Sequence, residues 1–350
     1  MSTSISESPV AIRGAADHST ATTGPRSLYA RYFFVAMATL FIVICGLGFV
    51  PQLVVIHANK IHLHWFTNVH GAIMTGWLLL FLTQALLAAT GRLKCHRQLG
   101  LLSVGLGALV WLTTGAVTIS ALIRNNPPEG DGQFDTVALS LVAVVLFGWF
   151  FTWGILSRKN AATHKRLLLL AVIPLISAGV DRIFWLPGLQ AAFFVRFVYI
   201  DALLIPLVIY DIVTLRRMHR ITLIGGVCLI LSQVAVVGAA ASTAWHHFAY
   251  NAITPYVVRL PEIKLSAAQS DPLLGDYGDK DWKMTVSREG DRLYLTLPDP
   301  LRFELWANAE TDLFMKTANW QLHFVKDTDG RVTKVINTQP DVTWEKGRLK

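Results

Sequence analysis

HGAIMTGWLLLFLTQALLAATGRLKCHRQLG, residues 70–100, decides the fold. From Gly71 to Gly91 it holds no charged side chain, about the length an α-helix needs to cross ~30 Å of hydrocarbon. It then stops on Arg92, Lys94, His96 and Arg97, and a second apolar run begins. Apolar run, basic stop and apolar run together describe a membrane hairpin.

The same pattern extends in both directions. Apolar runs lie near residues 32–50, 69–90, 100–123, 136–156, 166–186, 197–215 and 221–245, so seven transmembrane helices are expected. A chain of 350 residues with 53% hydrophobic and only 15% charged side chains is too apolar for a soluble domain of this size. Residues 1–30 are rich in Ser, Thr, Ala and Gly and lack an apolar core, which predicts a disordered cytoplasmic tail. The expected division is this tail, a helical bundle over 31–247, a linker over 248–261 and a β domain over 262–350.

Charge predicts the orientation. Residues 1–261 hold 18 Lys and Arg against 8 Asp and Glu, whereas 262–350 hold 13 against 15. The basic excess therefore belongs to the membrane part, which favours lipid headgroups over nucleic acid as the partner. Arg92, Lys94 and Arg97, then Arg158, Lys159, Lys165 and Arg166, then Arg216, Arg217 and Arg220 fill alternate loops that contain no acid. By the positive-inside rule these loops and the N-terminus face the cytoplasm, and residues 262–350 lie outside.

Beyond residue 262 the period changes. WKMTVSREGDRLYLTLP (282–298) and WQLHFVKDTDGRVTKVI (320–336) each alternate around a Gly-containing pair, Glu289-Gly290 and Asp329-Gly330. Such pairs mark β-hairpins, and seven or eight short strands fit the segment, enough for a small barrel. DTDGR lacks the closing Glu of a calcium loop and is expected to be a plain turn. LSAAQSDPLLGDYGD (265–279), VSREGDRLYLTLP (286–298), FELWANAETDLFMK (303–316) and LHFVKDTDGRVTKVI (322–336) follow one another in order. This series resembles the lipocalin-like β domain found C-terminal to bacterial beta-lactamase-related serine hydrolases, over roughly residues 262–348. The resemblance implies an extracytoplasmic accessory barrel without catalytic residues of its own. The hydrolase is missing, since neither Ser-x-x-Lys nor Gly-x-Ser-x-Gly occurs. The membrane part resembles uncharacterised bacterial multi-helix proteins that carry HG…WLLLFL, HRxLG and HKRLxLL.

Ionisable residues inside spans are costly and mark candidate sites. Asp181 and Asp201 each lie roughly 22 Å above the basic junctions by helical rise. With Arg182 and His70 they form a candidate polar cluster, and the simpler reading of the same residues is an Arg182–Asp201 ion pair locking helices five and six. Asp211, close to Arg216 and Arg217, reads as their surface partner. At the other face His96 and His164 begin helices at matching heights, and two histidines on separate helices can ligate haem b from both sides. The histidines of the outer face (His57, His62, His64, His246 and His247) are irregularly spaced and suggest an interfacial belt rather than a metal centre.

Three functions follow. The first is an inner-membrane protein presenting a lipocalin-like module to a small-molecule or protein ligand. Its alternatives are a transmembrane electron carrier with haem on His96 and His164, and a solute transporter using Asp181, Arg182 and Asp201.

Overall fold

Backbone amides cannot be left bare in hydrocarbon, so each apolar run closes its hydrogen bonds within itself as a helix. The computed structural model describes residues 25–58, 63–127, 129–189, 192–257, 260–280, 282–298, 302–316, 319–339 and 342–349. Most of the expected tail, and His62, fall outside them. Helix α1 spans Pro25–Ala58, α2 Trp65–Ala89, α3 Leu93–Asn125, α4 Gln133–Leu156, α5 Ala161–Val180, α6 Val195–Ala202, α7 Ile205–Leu215, α8 Arg220–Ala240 and α9 Thr243–Ile253. With α6 and α7 taken as one broken helix, seven of these segments are long and apolar enough to cross a membrane. The sixth is broken where Pro206 opens α7 without an N–H to continue the ladder.

The bundle is built around α5, whose buried residues run nearly unbroken from Arg166 to Val180. Helices α1, α4, α6 and α8 pack on it. A Cβ added at Gly48 on α1 would lie 2.2 Å from the Gly179 carbonyl oxygen on α5. Only glycine permits that approach, which is how helices pack closely in lipid. The outward faces are apolar instead of polar: Val145, Trp149, Leu231 and Val234 are each 63–65% exposed, a surface that lipid satisfies and water does not.

The last span ends earlier than the apolar run suggests. Ser242 caps a separate helix by accepting from the Trp245 N–H, so α9 occupies 243–253 and takes over part of the expected linker. Its Ala249 and Ile253 join Leu122 of α3 and Phe134 of α4 in a small buried cluster.

Among the described residues eight strands follow: β1 Gly275–Gly278, β2 Lys283–Glu289, β3 Arg292–Thr296, β4 Arg302–Ala309, β5 Asp312–Phe314, β6 Gln321–Lys326, β7 Val332–Thr338 and β8 Thr343–Gly347. All neighbours pair antiparallel in sequence order. A bridge between Tyr277 and Arg348, with the Leu349 N–H donating to the Asp276 carbonyl at 2.8 Å, brings the last strand back to the first. The result is an up-and-down near-barrel. Gly290 (φ 58°) and Gly330 (φ 79°) occupy the left-handed region in the two expected hairpins. Asp327 Oδ1 accepts from the Asp329 and Arg331 N–H groups, so DTDGR is the plain turn expected. Leu273, Tyr277, Met284, Leu295, Leu313 and Phe324 are among the side chains that fill the barrel.

Barrel and bundle touch through the β5–β6 connection. The Asn319 N–H donates to the Asn125 carbonyl at 3.1 Å, and its side-chain amide donates to the Arg124 carbonyl. Both carbonyls lie at the end of α3 remote from the basic junctions.

Candidate functional site

The basic end of the bundle holds two different constructions. In the first, Arg166 on α5 and Asp211 on α7 form a completely buried ion pair, 2.5 Å from Nη2 to Oδ1. Arg166 Nε also donates to Oδ1 at 2.9 Å and Nη1 to the Ala162 carbonyl at 2.7 Å. Asp211 Oδ2 accepts from the His219 N–H and the Thr222 hydroxyl. Beside it Lys165 donates to the Tyr210 hydroxyl at 2.7 Å, while the Tyr210 ring stacks on Phe33 of α1 at 4.4 Å. Asp211 is therefore a core residue tying α5, α7 and α8 together, not the surface partner of Arg216 and Arg217. The carboxylate turns inward because α7 ends at Arg216 in a left-handed conformation (φ 59°), and the chain then folds back to bring His219 and Thr222 onto it.

In the second, His96 and His164 face each other with ring centroids 6.5 Å apart and planes at 87°. His96 Nδ1 lies 3.2 Å from the Gln84 carbonyl oxygen and His164 Nδ1 lies 2.8 Å from the Gly154 carbonyl oxygen. A carbonyl only accepts, so each Nδ1 carries a proton, and it is Nε2 that holds the lone pair whenever the ring is neutral. The third junction histidine, His219, is built differently, since its Nδ1 accepts from the Ile221 N–H and caps α8.

Of the outer polar residues, His70 and Asp181 both interact electrostatically with Arg182, while each side chain of the set also has a bonded partner elsewhere. Asp181 pairs with Arg196 at 3.1 Å, Arg182 donates to Gln52 Oε1 at 3.0 Å and lies over the Phe49 ring, and Asp201 accepts from Gln233 Nε2 at 2.7 Å. His70 meets the Thr113 hydroxyl at 3.1 Å. Each engages a partner outside the set, and no Arg182–Asp201 ion pair occurs among the described residues. His64 caps α2 through Nδ1, while His246 and His247 meet Asp135 and Glu129, both at 2.9 Å. Among the described residues no three His, Cys, Asp or Glu side chains group to hold a metal ion.

The barrel contributes a residue that its sequence pattern hides. Asn337 on β7 is fully buried, and among the described residues neither its Nδ2 nor its Oδ1 has a hydrogen-bond partner. It pairs across the sheet with Leu322 on one side and Trp344 on the other, and directly opposed residues share a face; its amide therefore points into the barrel. Trp344 meets Trp282 edge-on at 5.2 Å and Trp320 at 6.2 Å. All three indoles are half-buried and pack on the barrel core. They collect at the end of the barrel formed by the β1–β2, β5–β6 and β7–β8 connections, the end that also carries Asn319 onto α3.

No protein-family model matches the chain, and no curated protein matches it.

Proposed function

We propose that this chain is an inner-membrane protein of the bacterial type whose seven-helix bundle holds an extracytoplasmic, lipocalin-like barrel at the membrane surface, where the barrel binds an amphiphilic small molecule. The Asn337 amide carries this reading. Burying an amide without partners costs about 1–3 kcal/mol on mutational scales, and the interior of an eight-stranded barrel is of the size that side chains fill or that one small ligand occupies. An amide offers both a donor and an acceptor, so it suits a carboxyl, amide or hydroxyl head. Trp282, Trp320 and Trp344 supply apolar walls at the mouth above it. The basic junctions support the orientation, and the Asn319 contact supports a mouth that opens toward the bilayer surface, where amphiphiles concentrate.

Titrating the full-length protein in detergent or nanodiscs with a long-chain fatty acid tests this. Tryptophan emission should change saturably, and Asn337→Leu should remove the response while the far-ultraviolet spectrum stays that of the wild type. Unchanged emission in the wild type, or an identical titration in Asn337→Leu, would overturn the reading.

A further inference from the structure

The histidines of the basic end carry an inference independent of the barrel. His96 and His164 occupy the same place in two successive hairpins. Each is the fourth residue of its helix, α3 from Leu93 and α5 from Ala161. Each sends Nδ1 back to a carbonyl near the end of the preceding helix, Gln84 of α2 or Gly154 of α4. Two hairpins thus bring two imidazoles together, both in the tautomer that leaves Nε2 free. No partner for either Nε2 is found among the described residues. A histidine that ligates a metal almost always donates its other ring N–H to a carbonyl or carboxylate, which fixes ring and tautomer. Both histidines already have that outer partner.

Their separation is also informative. Two imidazoles in trans on one metal, with metal–nitrogen bonds of about 2.0–2.1 Å, hold their ring centres about 6 Å apart, close to the 6.5 Å found here. Yet among the described residues no third His, Cys, Asp or Glu side chain joins them. Zinc would want four protein or solvent ligands and copper(II) a tetragonal set. An iron porphyrin brings four nitrogens of its own and needs two more. The surroundings match its other end, because Arg92, Lys94 and Arg97 are exposed beside His96 and porphyrin carboxylates pair with such cations.

We infer that His96 and His164 are the two axial ligands of a haem bound between the α2–α3 and α4–α5 hairpins. The full-length protein, expressed in haem-replete cells and purified in detergent, should show a Soret band, a sharp α band on reduction and a pyridine-haemochrome ratio near one haem per chain. Losing even an outer partner of a ligating histidine costs 10–100-fold in affinity, so His96→Ala and His164→Ala should each lower haem retention at least about tenfold. His219→Ala, which removes the histidine outside the pair, should retain it. Imidazole added to His164→Gly should restore the low-spin spectrum, a rescue that a merely structural histidine would not give. Should the variants fail to fold, titration of the wild type with haemin decides alone: a low-spin spectrum that saturates near one equivalent supports the site. A colourless wild type that gives no low-spin species with haemin, or folded variants that keep their haem, would overturn it.

Discussion

Asp211 in the bundle and Asn337 in the barrel are both completely buried, yet the Asp211 side chain accepts four hydrogen bonds and the Asn337 side chain makes none among the described residues. The first pattern is that of a structural joint. Its guanidinium, hydroxyl and backbone partners come from α5 and the start of α8, and removing the carboxylate would leave the buried Arg166 guanidinium without its counter-charge. The second pattern is that of a vacancy in the bonding of an otherwise apolar barrel. Burial by itself does not tell the two apart; the tally of satisfied donors and acceptors does.

The largest expected effect is at the satisfied pair. Asp211→Ala leaves a buried cation unpaired, a defect worth about 3–5 kcal/mol. The helical bundle should lose thermal stability strongly, or fail to accumulate, when unfolding is followed by circular dichroism in detergent. A wild-type melting profile for this variant would erase the distinction drawn between the two residues.

Asn337→Leu sharpens the comparison from the other side. Exchanging an unbonded amide for an apolar group of similar size removes a desolvation cost of about 1–3 kcal/mol. The barrel should become more stable in the absence of ligand, as measured by resistance of residues 262–350 to limited proteolysis in the full-length protein. A stabilising substitution that abolishes binding marks a functional residue. Destabilisation instead would mean that the amide has a partner in solution.

The smallest effect belongs to a polar group of the barrel that is satisfied but half exposed. The Thr285 hydroxyl, at 2.6 Å, and then the Lys283 ammonium hold the Asp276 carboxyl below its usual range. Because the folded value lies below the unfolded one near 3.8, the stabilisation is complete above that pH and fades as pH falls through the folded value. Solvent screening keeps it small. Asp276→Asn should flatten the acid limb of barrel stability below about pH 4 and leave neutral stability nearly unchanged. Equal acid limbs in the two proteins would show the carboxylate to be unbonded.

The features legible in the sequence are those with a period. Seven helices follow from run length and basic stops, and the barrel from alternation broken at Gly290 and Gly330. Pairings across many residues have no such signature. Arg166 and Asp211 are 45 positions apart, and each sits near a cluster of cations that explains it locally. His64 and His219 serve as helix caps, a role usually associated with Ser, Thr, Asp and Asn. Asn337 is hidden by a register shift. Strict alternation through VTKVINT would put Val332 and Val335 on opposite faces, but the irregularity opposite Val325 and Lys326 allows Val332, Val335 and Asn337 all to be buried. The pair His96 and His164 was partly visible as two histidines at equal height, whereas their shared anchoring to carbonyls requires the folded hairpins.

Native mass spectrometry of the full-length protein, released gently from detergent, tests the central claim most directly. Wild-type protein should carry an amphiphile of defined mass, and Asn337→Leu, equally folded, should not. Wild-type protein free of any such adduct after purification from its own membranes, or an adduct retained by Asn337→Leu, would contradict the assignment of the barrel as a ligand-binding module.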